Sequence, residues 1–163
     1  MVLSRLLSAL DKLFLYFIGT ALAGVVFICL MQVVARYAFS ASFSWAEEIS
    51  VTLVLWSVWV GASLCIKSNS HLRLSFLEKK LRPNTRVLLR FLMKTLIVLF
   101  AGTITYASRI VIQVNENITL MSLPVTVNIM YWSVPFGCLL MIFYCLRSML
   151  NDYQEIRSLS TED

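Results

Sequence analysis

Two adjacent carboxylates, Glu47 and Glu48, stand in the stretch SFSWAEEIS, directly ahead of the uncharged run ISVTLVLWSVWVGASLCI. A carboxylate pair can do general acid–base work, hold a cation, cap a helix or dock a partner. The first of these needs further chemistry nearby, and little is present. His71 is the only histidine and lies outside the apolar runs, which leaves no pair of axial haem ligands. Cys29, Cys65, Cys138 and Cys145 form no CxxC pair and fall within apolar runs. They read as small packing residues rather than zinc ligands. No GxxxxGK[ST] loop for a nucleotide and no GxSxG elbow is present. The expectation is a protein that is not an enzyme, with no catalytic, cofactor-binding or metal residues.

The pair has a physical reading of its own. Ser44, Trp45, Ala46 and Glu47 fit S-x-x-E, in which Ser44 is the N-cap and the Glu47 carboxylate reaches back to it. Acids in a first turn also suit the helix dipole. Glu48 is not needed for that cap. It opens a stripe of Thr52, Leu55 or Trp56, Trp59 and Ser63. An acid at a membrane boundary needs a partner, and Arg36 or a second protein is the candidate. The competing reading makes Glu48 the coupling acid of a self-sufficient, small oligomeric proton-coupled transporter. It ranks lower, because no second ionisable group lies deep in an apolar run to continue a relay.

The elements that position these residues follow from composition. Of 163 residues, 59% are hydrophobic and 14% charged, and the mean hydropathy is +0.79. Soluble domains carry about 25% charge. Charge-free runs cover Leu13–Ala35, Ile49–Ile66 and Val125–Leu146, each near the roughly 20 residues that cross a bilayer. A fourth, weaker run, Thr95–Ser108, extends to Val87–Val114 with basic ends that include Arg90 and Lys94. Long basic side chains at such ends reach for the interface. The first run is longer than a signal-peptide core and is read as a true span.

The fold class expected is therefore an all-α integral membrane protein, one domain over 1–163. Its four transmembrane helices cover about 13–35, 45–66, 87–114 and 125–146, with a polar tail over 150–163. HLRLSFLEKKLR places Leu74, Leu77 and Leu81 on one side, which predicts a short amphipathic interfacial helix over about 72–82. Its Arg73, Lys79, Lys80 and Arg82, with Arg90 and Lys94, are expected to face lipid headgroups.

Charge sets the orientation. Arg36 and Arg109 are alone on one side, and the other twelve of the 14 basic residues lie on the opposite side. The positive-inside rule puts both termini and the middle connection in the cytoplasm, so Glu47 and Glu48 face outward. Topology accounts for the net charge of +5, and no nucleic acid is expected. Ser57 and Gly61, and Thr20 and Gly24, are small-xxx-small pairs for close helix packing. Trp56 and Trp59 lie too deep for an interfacial belt and either fill the bundle or face another protein. Pro135 breaks a backbone hydrogen bond in the last span. Asn128 is placed to bond a neighbouring helix or subunit.

The stretch RYAFSASFSWAEEISVTLVLWSVWVGASLCIKSNSHLRLSFL, from Arg36 to Leu77, resembles the signature region of the small membrane subunit (Q-type, DctQ-like) of the tripartite ATP-independent periplasmic, or TRAP, transporters. LPVTVNIMYWSVPFG resembles that family's last span. By position, Arg36, Tyr37, Trp45, Glu47, Glu48, Gly61 and His71 match the pattern, with structural or partner-facing roles. The resemblance implies a bacterial inner-membrane, multi-pass subunit with no substrate or sodium site of its own. Its implied partners are a large multispanning subunit, expected as a separate chain and holding the sodium, a periplasmic substrate-binding protein docking transiently at the outer face, and membrane lipids. The implied function is a static scaffold in uptake of an organic acid such as sialic acid or a C4-dicarboxylate.

Overall fold

In hydrocarbon a backbone N–H or C=O has no water to bond, so an uncharged run must satisfy its own backbone as a helix. The computed structural model describes residues 2–41, 43–67 and 83–159. Among the described residues there are five helices: α1 Val2–Phe39, α2 Ser44–Lys67, α3 Pro83–Val114, the single turn α4 Asn128–Tyr131 and α5 Ser133–Leu159. Four stretches of these residues are long and apolar enough to cross a membrane: Ser8–Phe39, Ser44–Ile66, Phe91–Val114 and Asn128–Met149. The predicted interfacial helix over 72–82, with His71, Arg73, Lys79, Lys80 and Arg82, lies outside the described residues, as does the side chain of Arg90.

The helices outrun the apolar runs at several ends. α1 begins well before Leu13, and α5 continues to Leu159 through most of the stretch expected as a polar tail. Helical backbone is satisfied internally, so nothing stops it at the edge of an apolar run. Pro83 opens α3, the position where its missing N–H costs nothing. The fourth span starts later than Val125, because the residues before Asn128 are used by a small hairpin. In it Leu120 N–H donates to the Val125 carbonyl at 2.9 Å, Val127 N–H donates to the Ile118 carbonyl at 3.0 Å, and Thr119 bridges Thr126.

Pro135 divides the fourth span. It has no N–H for the Tyr131 carbonyl, and Trp132 falls between α4 and α5. The ladder continues on both sides of this gap, with Trp132 N–H to the Asn128 carbonyl at 2.9 Å and Phe136 N–H to the Trp132 carbonyl at 3.3 Å.

The spans form a row. α2 and α5 make the central pair, α1 packs along α2, and α3 packs along α5. Of the most apolar part of each span, 6% is buried in the first and 39% in the fourth, as an edge and a centre should differ. The seams use small residues. Ala46, Val60, Ala101, Cys138 and Cys145 are buried, and so are Ser57, Ser63 and Ser133. These hydroxyls donate within their own helix or the adjoining turn, to the carbonyls of Leu53 (2.7 Å), Val60 (2.7 Å) and Met130 (2.6 Å). A serine satisfied in this way packs like an alanine and lets backbones approach.

Candidate functional site

The α1–α2 turn brings Arg36, Tyr37, Glu47 and Glu48 to one end of the row. Ser40, at φ 51°, takes the left-handed conformation that ends α1, and Ala41 N–H closes back on the Ala35 carbonyl at 3.2 Å. The Phe43 carbonyl then accepts from Ala46 N–H at 3.2 Å and from Gln32 Nε2 at 3.2 Å. Phe43 therefore stands at the N-cap, and Ser44 is the first helical residue. The Ser44–Glu47 capping box is thus not the device that opens α2, because the helix starts one residue earlier than that box requires. Glu47 still lies in the first turn, where the dipole favours it. Trp45 sets its ring 6.0 Å from that of Phe43.

Glu48 does not turn to Arg36. Its Oε1 accepts from Met121 N–H at 2.8 Å and from Ser122 N–H at 3.2 Å, and Oε2 accepts from Ser122 N–H at 3.3 Å. The carboxylate holds the tip of the 118–127 hairpin, 73 residues along the chain. Backbone N–H bonds to an ionised acceptor are short and strong for their kind. Thr52, one turn on, donates to the Glu48 carbonyl at 2.8 Å. Below the hairpin, Leu120, Leu123 and Val125 share a cleft of about 160 Å³ with Ile49 and Leu53 of α2. Arg36 instead shares a cleft of about 440 Å³ with Cys29, Gln32, Tyr37 and Glu47. Tyr37 projects from α1, 84% exposed.

The tryptophans lie in the α2–α5 seam. Trp56 Nε1 donates to the Ile129 carbonyl at 3.0 Å, beside the Pro135 break, and its ring lies 5.5 Å from that of Phe136. Trp59 meets Gly137 so closely that a Cβ on the glycine would lie 2.6 Å from the Trp59 Cβ. The Trp56 side chain is thus engaged within the bundle through both its N–H and its ring. Asn128 is buried and donates through Nδ2 to the Ile112 carbonyl of α3 at 3.1 Å. Gly61 faces Ile18 of α1, where a Cβ would have ordinary contact at 3.7 Å.

One expectation is reversed. Lys94, read as a lipid-facing residue, is buried between α3 and α5, and its Nζ donates to Ser148 Oγ at 2.8 Å. Cys145 Sγ donates to the Lys94 carbonyl at 3.4 Å. A hydroxyl on the neighbouring helix thus accepts from the ammonium inside the seam. Nearby in the chain order of α5, Tyr144 donates its O–H to Asp11 Oδ1 at 2.6 Å, with both residues buried. Sequence reasoning missed Asp11, Tyr144 and Gly137. Asp11 had a visible signal, an acid flanking an apolar run, whereas Gly137 had none beyond its type.

No cluster of three or more His, Cys, Asp or Glu suited to a metal ion occurs among the described residues. The arrangement is one of helix-to-helix and helix-to-loop fastenings.

Residues 25–155 match the family model described as "Tripartite ATP-independent periplasmic transporters, DctQ component". Over 87 residues, 53% of this chain, the sequence is 33% identical to a Haemophilus influenzae protein that carries the provisional name TRAP transporter small permease protein. That match spans about half of the relative, 54% of its length. Over 130 residues, 80% of this chain and 75% of the relative, it is 25% identical to the Sialic acid TRAP transporter small permease protein SiaQ of Vibrio cholerae.

Proposed function

This chain belongs to the DctQ component family of the tripartite ATP-independent periplasmic transporters, and from that membership we propose that it is the static scaffold on which a large membrane subunit works. It is a small permease subunit with four helices fit to span the inner membrane. In this reading a periplasmic binding protein delivers an organic acid, and the large subunit moves it inward on a sodium gradient. Sialic acid and C4-dicarboxylates are the substrate classes proposed, and the first is named in the Vibrio relative. The two termini and the basic connection between α2 and α3 face the cytoplasm, by the excess of Lys and Arg there.

The observation that carries the scaffold role is the row. α1 packs along α2 and α3 along α5, so each edge helix leaves a long apolar flank uncovered. Leu15, Val26, Phe27 and Leu30 on α1, and Leu96, Leu99 and Phe100 on α3, are all more than half exposed. A single row has no second wall to enclose a solute path, and its flanks suit lipid on one side and another protein's helices on the other. Glu48 is already held by backbone amides, which disfavours a coupling role for it.

Co-expression with a large TRAP membrane subunit from the same genome, followed by purification in mild detergent, should recover a stable pair. Vesicles holding the pair should accumulate the organic acid when supplied with binding protein and an inward sodium gradient. Vesicles holding this chain alone should accumulate none. Solute uptake by this chain alone would overturn the proposal.

A further inference from the structure

We propose that Glu48 is the positioning residue that presents the 118–127 hairpin, with Met121 at its tip, to the soluble binding protein. The inference rests on the scaffold reading above, in which a binding protein docks at this end of the row.

Three features converge on the hairpin. Its tip is fixed from beneath by charge, because two consecutive backbone N–H groups, of Met121 and Ser122, point at one carboxylate. Successive N–H groups of this kind form a concavity for an anion, and Glu48 fills it. The tip is also fixed from beneath by apolar contact, since Leu120 and Leu123 line a common cleft with Ile49 and Leu53. Against both of these, the Met121 side chain is turned wholly outward, at 100% exposure. Ile118, at the base of the hairpin, is half exposed.

A connection between two helices needs only to close. Holding one in a single shape costs conformational entropy, which Glu48 and the two leucines offset. The outcome is a rigid mount for an unbranched thioether outside the spanning segments. Methionine is adaptable and polarisable, and it suits surfaces that must bind and then release. The partner it fits is a soluble protein offering a shallow apolar recess with a polar rim, which Ser122 and Glu116, both exposed, would face. A carboxylate fully engaged by its own backbone explains why a charge stands here without an ion-pair partner among the described residues.

The test uses the complex with the large subunit in vesicles, with uptake measured against binding-protein concentration. Met121→Ser changes a side chain that touches nothing, and Glu48→Gln removes the charge that holds the tip. Each should raise the half-saturating concentration of binding protein about tenfold, the equivalent of 1.4 kcal/mol, while the maximal rate stays within about twofold. Amide exchange at Met121 and Ser122 should quicken in Glu48→Gln and stay unchanged in Met121→Ser. An unchanged half-saturating concentration in Met121→Ser overturns the docking role. A lower maximal rate at an unchanged half-saturating concentration in Glu48→Gln shows an assembly role and overturns the positioning one. Unchanged amide exchange in Glu48→Gln overturns the latch itself. Failure of the unaltered chain to co-purify with the large subunit would instead remove the scaffold reading, which keeps the two failures distinct.

Discussion

Gly137 of α5 lies against Trp59 of α2 with no room for a methyl group between them: a Cβ on the glycine would stand 2.6 Å from the Trp59 Cβ and 3.0 Å from its backbone carbon and oxygen. Two of the three obstructing atoms are backbone, so neither helix can yield by turning a side chain. The central seam of the row closes at this point, a short way along α5 from the Pro135 break.

Gly137→Ala should therefore destabilise the fold by about 1–3 kcal/mol, the range for overpacking a filled site. Gly19→Ala is the control, since a Cβ there meets nothing within 4 Å and alanine is the better helix former. Thermal melts in one detergent should show a clear fall for the first variant and none for the second. Equal melts would show that the seam can open without cost.

Trp56 makes two separable contacts, an indole N–H to the Ile129 carbonyl and a ring against Phe136. Trp56→Phe keeps an aromatic ring and loses the N–H, and should cost about 0.5–1.5 kcal/mol. Trp56→Ala loses both and should cost about 3–5 kcal/mol. Denaturation in mixed detergent and SDS would rank them, and an equal loss for both would assign all of the stability to the hydrogen bond.

At the other end of the row, the Tyr144 hydroxyl donates to Asp11 and ties α1 to α5, although α1 packs mainly along α2. Tyr144→Phe leaves a buried carboxylate oxygen without that donor and should cost about 1–3 kcal/mol. The loss should be local. Protease should reach the start of α1 sooner, while amide exchange in the α2–α5 seam stays as it was.

Orientation has a direct check. In whole cells, a membrane-impermeant maleimide should label Ser122→Cys without permeabilisation and label Arg157→Cys only after it. The native cysteines all lie within the apolar spans, which keeps the background low. The reverse pattern would invert the topology derived from the basic residues.

Much of this was legible in the residues themselves. Four spans, and the helix break at Pro135, follow from local chemistry: an uncharged run near bilayer length must be helical, and a proline inside it must lose a bond. Asn128 was likewise readable as a residue needing a partner, because a buried amide in a span has no water to bond. Other features were not legible. Ser44 was assigned to the cap because S-x-x-E is a local pattern, whereas the start of α2 is set by how the turn from α1 enters, with Ser40 left-handed and Gln32 bonding the Phe43 carbonyl. Lys94 reads as an interfacial lysine because its length and position allow that, whereas in the fold it is buried and donates to Ser148, 54 residues away.

The sequence by itself thus determined what each segment is: which stretches span, where the charge lies, and which family the pattern resembles. The tertiary structure alone decided what each segment meets. Helices in an apolar surrounding gain no hydrophobic free energy by choosing one neighbour over another, so their order in the row rests on close contact and a few hydrogen bonds. Those depend on pairs such as Trp59 with Gly137 and Glu48 with Met121, which come together only when distant segments are laid side by side.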